Sequence, residues 1–182
     1  PTLPPPATIW GMAFVSQSKG MDYMHPFTFN GVRSLIGAAG ILIYILISRK
    51  IAGDKAAKLD WKLNVKAGLL CGIFLTIAST LQQFGIKYTS VGKAGFITTL
   101  YIIFVPMFGI FLKKKVAPVV WAAAGMAAVG MYLLCMTESL RLGAGDIMVF
   151  LCAIAFAIQI MTVDHYAARI DGAVVSCIQF TV

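Results

Sequence analysis

The chain has 182 residues, of which 59% are hydrophobic and 12% charged, and its formal net charge is +8. Ordinary soluble domains contain about 45–50% apolar and about 25% charged residues, so this composition excludes a water-soluble globular fold. The Lys and Arg residues lie in short clusters between apolar stretches and form no basic, aromatic-rich face, which argues against nucleic acid as a partner. The composition indicates an integral membrane protein.

Six segments are predicted to form transmembrane helices, each of which needs about 20 mainly apolar residues. The first, at residues 7–24, is the weakest, because its second half is polar and it follows Pro4-Pro5-Pro6. The stronger segments occupy residues 26–48, 67–86, 94–112, 118–136 and 147–166. An apolar run at residues 173–182 covers about half a bilayer. We expect an all-α polytopic transmembrane helix bundle, with about six helices plus the start of a seventh, in a chain that reads as a fragment.

The loop charges predict how the helices are oriented. The loops after the second, fourth and sixth predicted helices carry ten Lys and Arg residues, whereas the opposite loops carry four. Cytoplasmic loops of membrane proteins are enriched in positive charge. We therefore expect a cytoplasmic N-terminus in a multi-pass protein of the plasma membrane, most naturally a bacterial inner membrane, surrounded by the lipid bilayer.

Side chains suited to catalysis or metal binding are sparse. The four cysteines each lie singly in an apolar segment, without the paired spacing of a zinc site. His25 and His165 lie near predicted helix ends, and the sequence contains no HExxH motif. We expect no catalytic residue, no metal and no cofactor.

Three stretches of the sequence are of a kind found in one family of membrane proteins, and the middle stretch is the most specific. They are Ile9-Trp10-Gly11 with Arg33 in the next helix, the run from Gln83 to Tyr101 and on to Pro106, and Gly145-Asp146 at the start of the sixth helix. Together they resemble the EamA family of the drug/metabolite transporter superfamily over nearly the whole chain.

The resemblance implies ten helices in two five-helix repeats. Residues 1–140 would form the first repeat and residues 143–182 the start of the second, whose missing C-terminal remainder would be a partner from the same chain. A repeat of five helices inserts its second copy upside down, as in many secondary transporters. At an offset of 146 residues, Trp10 aligns with Phe156 and Arg33 with Gln179, which is a weak internal echo.

Polar side chains within the third predicted helix are candidates for function, because a hydrocarbon environment penalises them elsewhere. Thr76, Thr80, Gln83 and Lys87 follow spacings of four, three and four, which places them on one helix face. Gln83 is expected either to contact substrate or to hydrogen-bond to another helix, a common use of Gln in membranes.

The other helices contribute further candidates. Thr98 and Tyr101 lie three residues apart in the fourth helix, and Pro106 leaves a backbone carbonyl one turn earlier without its usual partner. Pro106 is expected to be a hinge or, as in many membrane helices, a packing feature. The proposed substrate-binding residues are Trp10, Gln83, Thr98, Tyr101 and Gln159.

Arg33 is the one charged residue several positions inside the second helix. It is expected to be a structural anchor that reaches the headgroups, or to face an anionic substrate. All seven acidic residues fall in loops or at predicted helix ends, so no buried carboxylate of the kind that relays protons is expected here.

The resemblance implies a transporter of small metabolites, amino acids or related compounds, that exports its substrate by alternating access. Its cavity would lie between the repeats, lined by the first, third, fourth and sixth helices. Two alternatives stay open at this point: a membrane-embedded enzyme, and a structural membrane subunit without transport. Composition alone establishes only a polytopic membrane protein.

Overall fold

The computed structural model describes residues 6–20, 23–52, 60–111, 118–135 and 143–182, and every regular element in these ranges is helical. The helices are α1 (Pro6–Gly20), α2 (Pro26–Ala52), α3 (Trp61–Tyr88), α4 (Val91–Thr99), α5 (Tyr101–Phe111), α6 (Pro118–Cys135), α7 (Ala144–Tyr166) and α8 (Gly172–Thr181), with a 3₁₀ turn (Ala167–Arg169) after α7. The prediction of an all-α helix bundle is confirmed.

Four stretches of the described chain are long and apolar enough to cross a bilayer. They are Pro26–Ile51, Trp61–Tyr88, Val91–Ile110 and Ala144–Arg169. The predicted weak first helix is α1, which has 15 residues and is therefore about 23 Å long, shorter than the hydrocarbon core. The chain is a multi-pass membrane protein.

The predicted fourth span consists of two helices, because the chain is interrupted at Leu100. The Thr99 hydroxyl donates to the Gly95 carbonyl at 2.7 Å, a bond to the preceding turn that bends helices. The Leu100 amide then bonds to the Ile97 carbonyl at 3.2 Å, and the Ile103 amide bonds to the Leu100 carbonyl at 2.9 Å. These three-residue bonds tighten the backbone at the junction of α4 and α5, while the Phe104 amide keeps the α-helical bond to the Leu100 carbonyl at 3.1 Å.

Helix α3 lies at the centre of the bundle, where it packs against α7 and α8. Its contacts depend on small residues: a Cβ added at Gly68 would lie 2.7 Å from the Ile178 Cβ, and one at Gly72 would lie 2.8 Å from the Val182 Cβ. Small residues allow membrane helices to approach closely and gain van der Waals contact. The Gly68-x-x-x-Gly72 pair therefore seats α8 on α3.

The first turn of α3 is tied to the start of α8 by Asn64, whose side chain is 1% exposed. Its Nδ2 donates to the Asp60 carbonyl at 2.8 Å, and its Oδ1 accepts from the Asp171 amide at 2.8 Å. The same two aspartates cap helices: Asp60 accepts from the Leu63 amide, and Asp171 accepts from the first amides of α8. We call Asp60, Asn64 and Asp171 the Asn64 cluster.

Candidate functional site

A cavity of about 490 Å³ lies among α1, α2, α3, α4, α5, α7 and α8, and its volume is within the range of about 300–1,000 Å³ typical of ligand pockets. Aliphatic and aromatic side chains, among them Leu75 and Phe156, form much of its wall. Its polar lining residues are Gln17, Arg33, Ser34, Ser79, Gln82, Thr98, Tyr101, Gln159 and Gln179. Seven of the eight described α-helices thus place hydrogen-bonding groups around one space.

Two side-chain pairs link neighbouring helices at the cavity wall. The Gln82 Nε2 on α3 donates to the Thr98 Oγ1 on α4 at 3.3 Å, and each residue is only 3% exposed. The Gln159 Nε2 on α7 donates to the Gln179 Oε1 on α8 at 3.2 Å. Such bonds between membrane helices contribute about 0.6 kcal/mol on average, so they orient the amides more than they stabilise the bundle.

Gln17 on α1 has a polar atom with no partner. The residue is 3% exposed and lines the cavity, and its Oε1 accepts no hydrogen bond from any described residue. An unsatisfied buried acceptor costs about 1–3 kcal/mol. A donor in the cavity would satisfy the Gln17 carbonyl once the side chain turns toward it.

Arg33 brings the one positive charge among the polar lining residues. Its Nη2 donates to the Asn30 Oδ1 at 3.1 Å, and its guanidinium lies 5.9 Å from the centre of the Phe29 ring. Asn30 in turn donates to the Ser79 carbonyl at 3.2 Å, which links α2 to α3. Among the described residues no carboxylate forms an ion pair with Arg33, so the groups that contact its guanidinium there are neutral.

Tyr101 begins α5 directly after the interruption at Leu100 and projects into the cavity. Its ring centre lies 6.4 Å from that of Phe156 on α7, in a tilted arrangement. Tyr101 thus joins the cavity wall as the first residue after the break between α4 and α5. Pro106, the predicted hinge, is buried one and a half turns further along α5. Its hinge role stays a prediction.

The structure brings four of the sequence-predicted residues together at the cavity and leaves one, Gln83, outside its lining. Arg33, Thr98, Tyr101 and Gln159 line the cavity. Gln83 does not: it is fully buried in α3, and neither of its amide atoms has a hydrogen-bond partner among the described residues. Trp10 belongs to α1, but its side chain lies outside what the structure describes. The substrate roles of Gln83 and Trp10 stay predictions.

Gln82 was not predicted, because the predicted polar face of α3, which contains Thr76, Thr80 and Gln83, is the face beside it. Residues 75, 79 and 82 line the cavity, whereas Thr76 and Thr80 line a smaller space of about 310 Å³ beside α2 and α8. One residue of shift rotates the side chain by about 100° around the helix axis. The sequence signal for this site was the pair of adjacent amides, Gln82 and Gln83, within one span. The packing of α3 against α4 decides which of the two lines the cavity.

A second polar group lies at the last turn of α3. The Asp146 carboxylate is 4% exposed and accepts from the Thr89 hydroxyl, from the Gly143 amide at 2.9 Å, and lies 3.7 Å from the Lys93 Nζ. Thr89 follows α3, Lys93 is in α4, and Gly143 precedes α7. We call Thr89, Lys93, Gly143 and Asp146 the Asp146 cluster. No group of metal-binding side chains occurs in the part of the chain that the structure describes.

Comparison with known proteins points to membrane transport. The sequence model of the EamA-like transporter family matches residues 6–136. A protein of Archaeoglobus fulgidus (strain ATCC 49558), called an uncharacterized transporter, is 30% identical over 167 residues, which cover 88% of this chain and 47% of that protein. The chain thus spans about half the length of this relative. No solved structure matches the chain.

Proposed function

Because the chain belongs to the EamA-like transporter family, we propose that it carries a small polar metabolite across the plasma membrane through the cavity lined by Gln82, Thr98 and Gln159. The observation that carries this proposal is Gln17, a residue of the cavity lining whose buried Oε1 accepts no hydrogen bond from any described residue. Native structures satisfy nearly all buried polar groups, so such an atom favours a site for a ligand.

The polar lining supports amino acids or related compounds as the substrate class. Arg33 offers a guanidinium that no described carboxylate neutralises, and guanidinium groups suit carboxylates. Gln17 offers an acceptor for an ammonium or amide hydrogen. A compound with both groups would bind Arg33 and Gln17, while Tyr101 and Phe156 would pack against its apolar part.

Alternating access between two inverted repeats is the proposed mechanism, with residues 1–140 in the first repeat and residues 143–182 beginning the second. In support, Arg33 and Gln179, which correspond at an offset of 146 residues, both line the cavity, and so does Phe156. Binding sites of such transporters lie near the bilayer midplane where the repeats meet. The loop charges favour a cytoplasmic N-terminus, and we propose export as the direction.

The proposal is tested by flux in proteoliposomes that contain the full-length protein. Gln82→Leu and Gln83→Leu form a matched pair, because the two amides are adjacent in α3 and only Gln82 lines the cavity. With insertion and size-exclusion profile matched to the wild type, we expect Gln82→Leu to lower flux of carboxylate-bearing substrates about tenfold, the effect of about 1.4 kcal/mol. Gln83→Leu is expected to keep flux within about twofold, less than 0.5 kcal/mol.

Three other outcomes of the flux experiment would contradict parts of the proposal. Loss of flux in Gln83→Leu with Gln82→Leu unaffected would reverse our choice between the two amides. Equal tolerance of both changes would reject the cavity as the substrate path. No flux of any amino acid or related metabolite by the wild type would reject the proposed substrate class. Opposite orientations of the protein, separated by side-specific proteolysis, distinguish export from uptake.

A further inference from the structure

The cavity is separated from one end of the bundle by two successive layers of side chains. Along α3, the cavity residue Gln82 is followed one turn later by Ile86, and then by Thr89 of the Asp146 cluster. In α4 and α7 the chain runs the other way, so the residue of the Asp146 cluster comes first and the cavity residue comes last. In space, each of the three helices therefore passes from the polar cluster through the apolar layer to the cavity.

The apolar layer consists of small and branched side chains that exclude water. Its fully or almost fully buried members are Ile86, Ala94, Ile97 and Val149, with Phe14, Phe96 and Leu100 packed around them. The backbones also close up here, because a Cβ added at Gly145 would lie 2.8 Å from the Gly85 carbonyl oxygen.

The Asp146 cluster holds the three helices together beyond that layer. Its bonds join the end of α3, the start of α4 and the start of α7 at one carboxylate. Hydrogen bonds to a charged group are about twice as strong as neutral ones, but water can replace each of them when the helices separate. A contact of this kind is stable when closed and allows opening, whereas a wholly apolar seal exposes hydrocarbon on opening.

We propose that the Asp146 cluster and the apolar layer form the gate at this end of the transport path, and that the structure shows this gate closed. Asp146 is a positioning residue: it does not contact substrate, but holds α3, α4 and α7 so that Ile86, Ile97 and Val149 meet. This inference rests on the proposed transport function. By the loop charges, the gate faces the extracytoplasmic side.

The gate is tested by the accessibility of a native thiol behind it. Cys152 is fully buried, lies one turn beyond Val149 toward the cavity, and packs against Ala78 and Phe156. In the full-length protein with the other cysteines replaced by alanine, a charged membrane-impermeant thiol reagent is applied separately to right-side-out and inside-out vesicles. Thr89→Val and Asp146→Asn are expected to raise the rate of Cys152 modification about tenfold or more from the extracytoplasmic side only.

A second thiol reporter makes the test independent of Cys152. A matched control variant distinguishes opening of the gate from a general loosening of helix packing. Thr98→Cys, in a background without Cys152, places a thiol in the cavity itself. Asn64→Leu removes a buried polar contact between helices at the opposite end of α3. It is expected to leave extracytoplasmic access to both thiols unchanged.

The outcomes separate the gate from the transport proposal. Unchanged access to both thiols in Asp146→Asn and Thr89→Val would overturn the gate, and so would an equal rise from both sides, which indicates loosened packing. Flux is measured on the same preparations. Normal wild-type flux with unchanged access rejects the gate alone, whereas increased one-sided access without wild-type flux supports the gate and rejects the proposed substrates.

Discussion

At its first turn α3 is held by the Asn64 cluster, and at its last turn by the Asp146 cluster. Asn64 is neutral, and its amide bonds two backbone groups, the Asp60 carbonyl and the Asp171 amide. Asp146 is charged, and two of its three partners are the side chains of Thr89 and Lys93. Backbone partners move only with the whole chain, whereas side-chain partners can rotate away. One end of α3 is therefore a fixed tie, and the other is a separable contact.

The glycine contacts of the two ends differ as well. Near the Asn64 cluster, Gly68 faces the side chain of Ile178 on α8. Near the Asp146 cluster, Gly145 faces backbone atoms, the Gly85 carbonyl oxygen and the Tyr88 carbonyl carbon, both at 2.8 Å from an added Cβ. At the separable end, Gly145 therefore lies directly against the backbone of α3, and the closed form of that end depends on having no side chain at that point.

The largest expected effect is that of a single methyl group at this backbone contact. Gly145→Ala should lower the free energy of unfolding by about 3 kcal/mol, because α7 must shift away from α3 and overpacking typically costs about 1–3 kcal/mol or more. Gly68→Ala should cost only about 1 kcal/mol, because α8 alone has to adjust and alanine favours the helix. Heat stability of the purified protein in detergent, followed by size-exclusion chromatography, measures both.

A matched control for these two variants is Gly95→Ala in α4, where an added Cβ meets no described atom within 4 Å. It should leave heat stability unchanged or raise it slightly. If Gly68→Ala proves more harmful than Gly145→Ala, the closest packing lies at the other end of α3, and the contrast between the two ends is reversed.

The helices were predictable because hydropathy determines which segments enter the bilayer. Residues 118–136 were expected and Pro118–Cys135 is observed; residues 147–166 were expected and α7 begins three residues earlier, where Gly143 and Asp146 form its cap. The start of α3 at Trp61 was missed, because Lys62 and Lys66 make its first turns polar. Hydropathy detects the hydrocarbon-spanning part of a helix and not the turns that extend beyond it.

The site was predictable only in part, because helix rotation depends on tertiary packing. Spacing identified Thr98, Tyr101 and Gln159 as polar residues within spans, and the cavity contains all three. Spacing favoured Gln83, on the helix face of Thr76 and Thr80, whereas the cavity is lined by its neighbour Gln82, which faces another direction. The break at Leu100 was also missed, since a bond from the Thr99 hydroxyl to the Gly95 carbonyl leaves hydropathy unchanged.

The next largest effect is expected at the fixed tie. Asn64→Leu removes both hydrogen bonds of a buried amide, to the Asp60 carbonyl and from the Asp171 amide, each of which contributes about 1 kcal/mol, so the free energy of unfolding should fall by about 2 kcal/mol. Gln83→Leu is the matched control, because it also replaces a buried amide of α3 but one whose atoms have no described partner. That change should leave heat stability equal or higher. A similar loss in both variants would mean that burial of an amide, and not its bonding, decides stability here.

The smallest expected effect concerns the ion pair at the surface of the Asn64 end. The Arg49 Nη2 lies 3.9 Å from the Asp171 Oδ2, and the two side chains are 45% and 42% exposed. Exposed pairs contribute about 0–1 kcal/mol, so Arg49→Gln should change heat stability no more than Lys50→Gln, its exposed neighbour on α2. High salt should likewise change the heat stability of the wild type very little. A loss above about 1 kcal/mol in Arg49→Gln alone would show that this end also depends on charge. The distinction between a neutral fixed tie and a charged separable contact would then no longer hold.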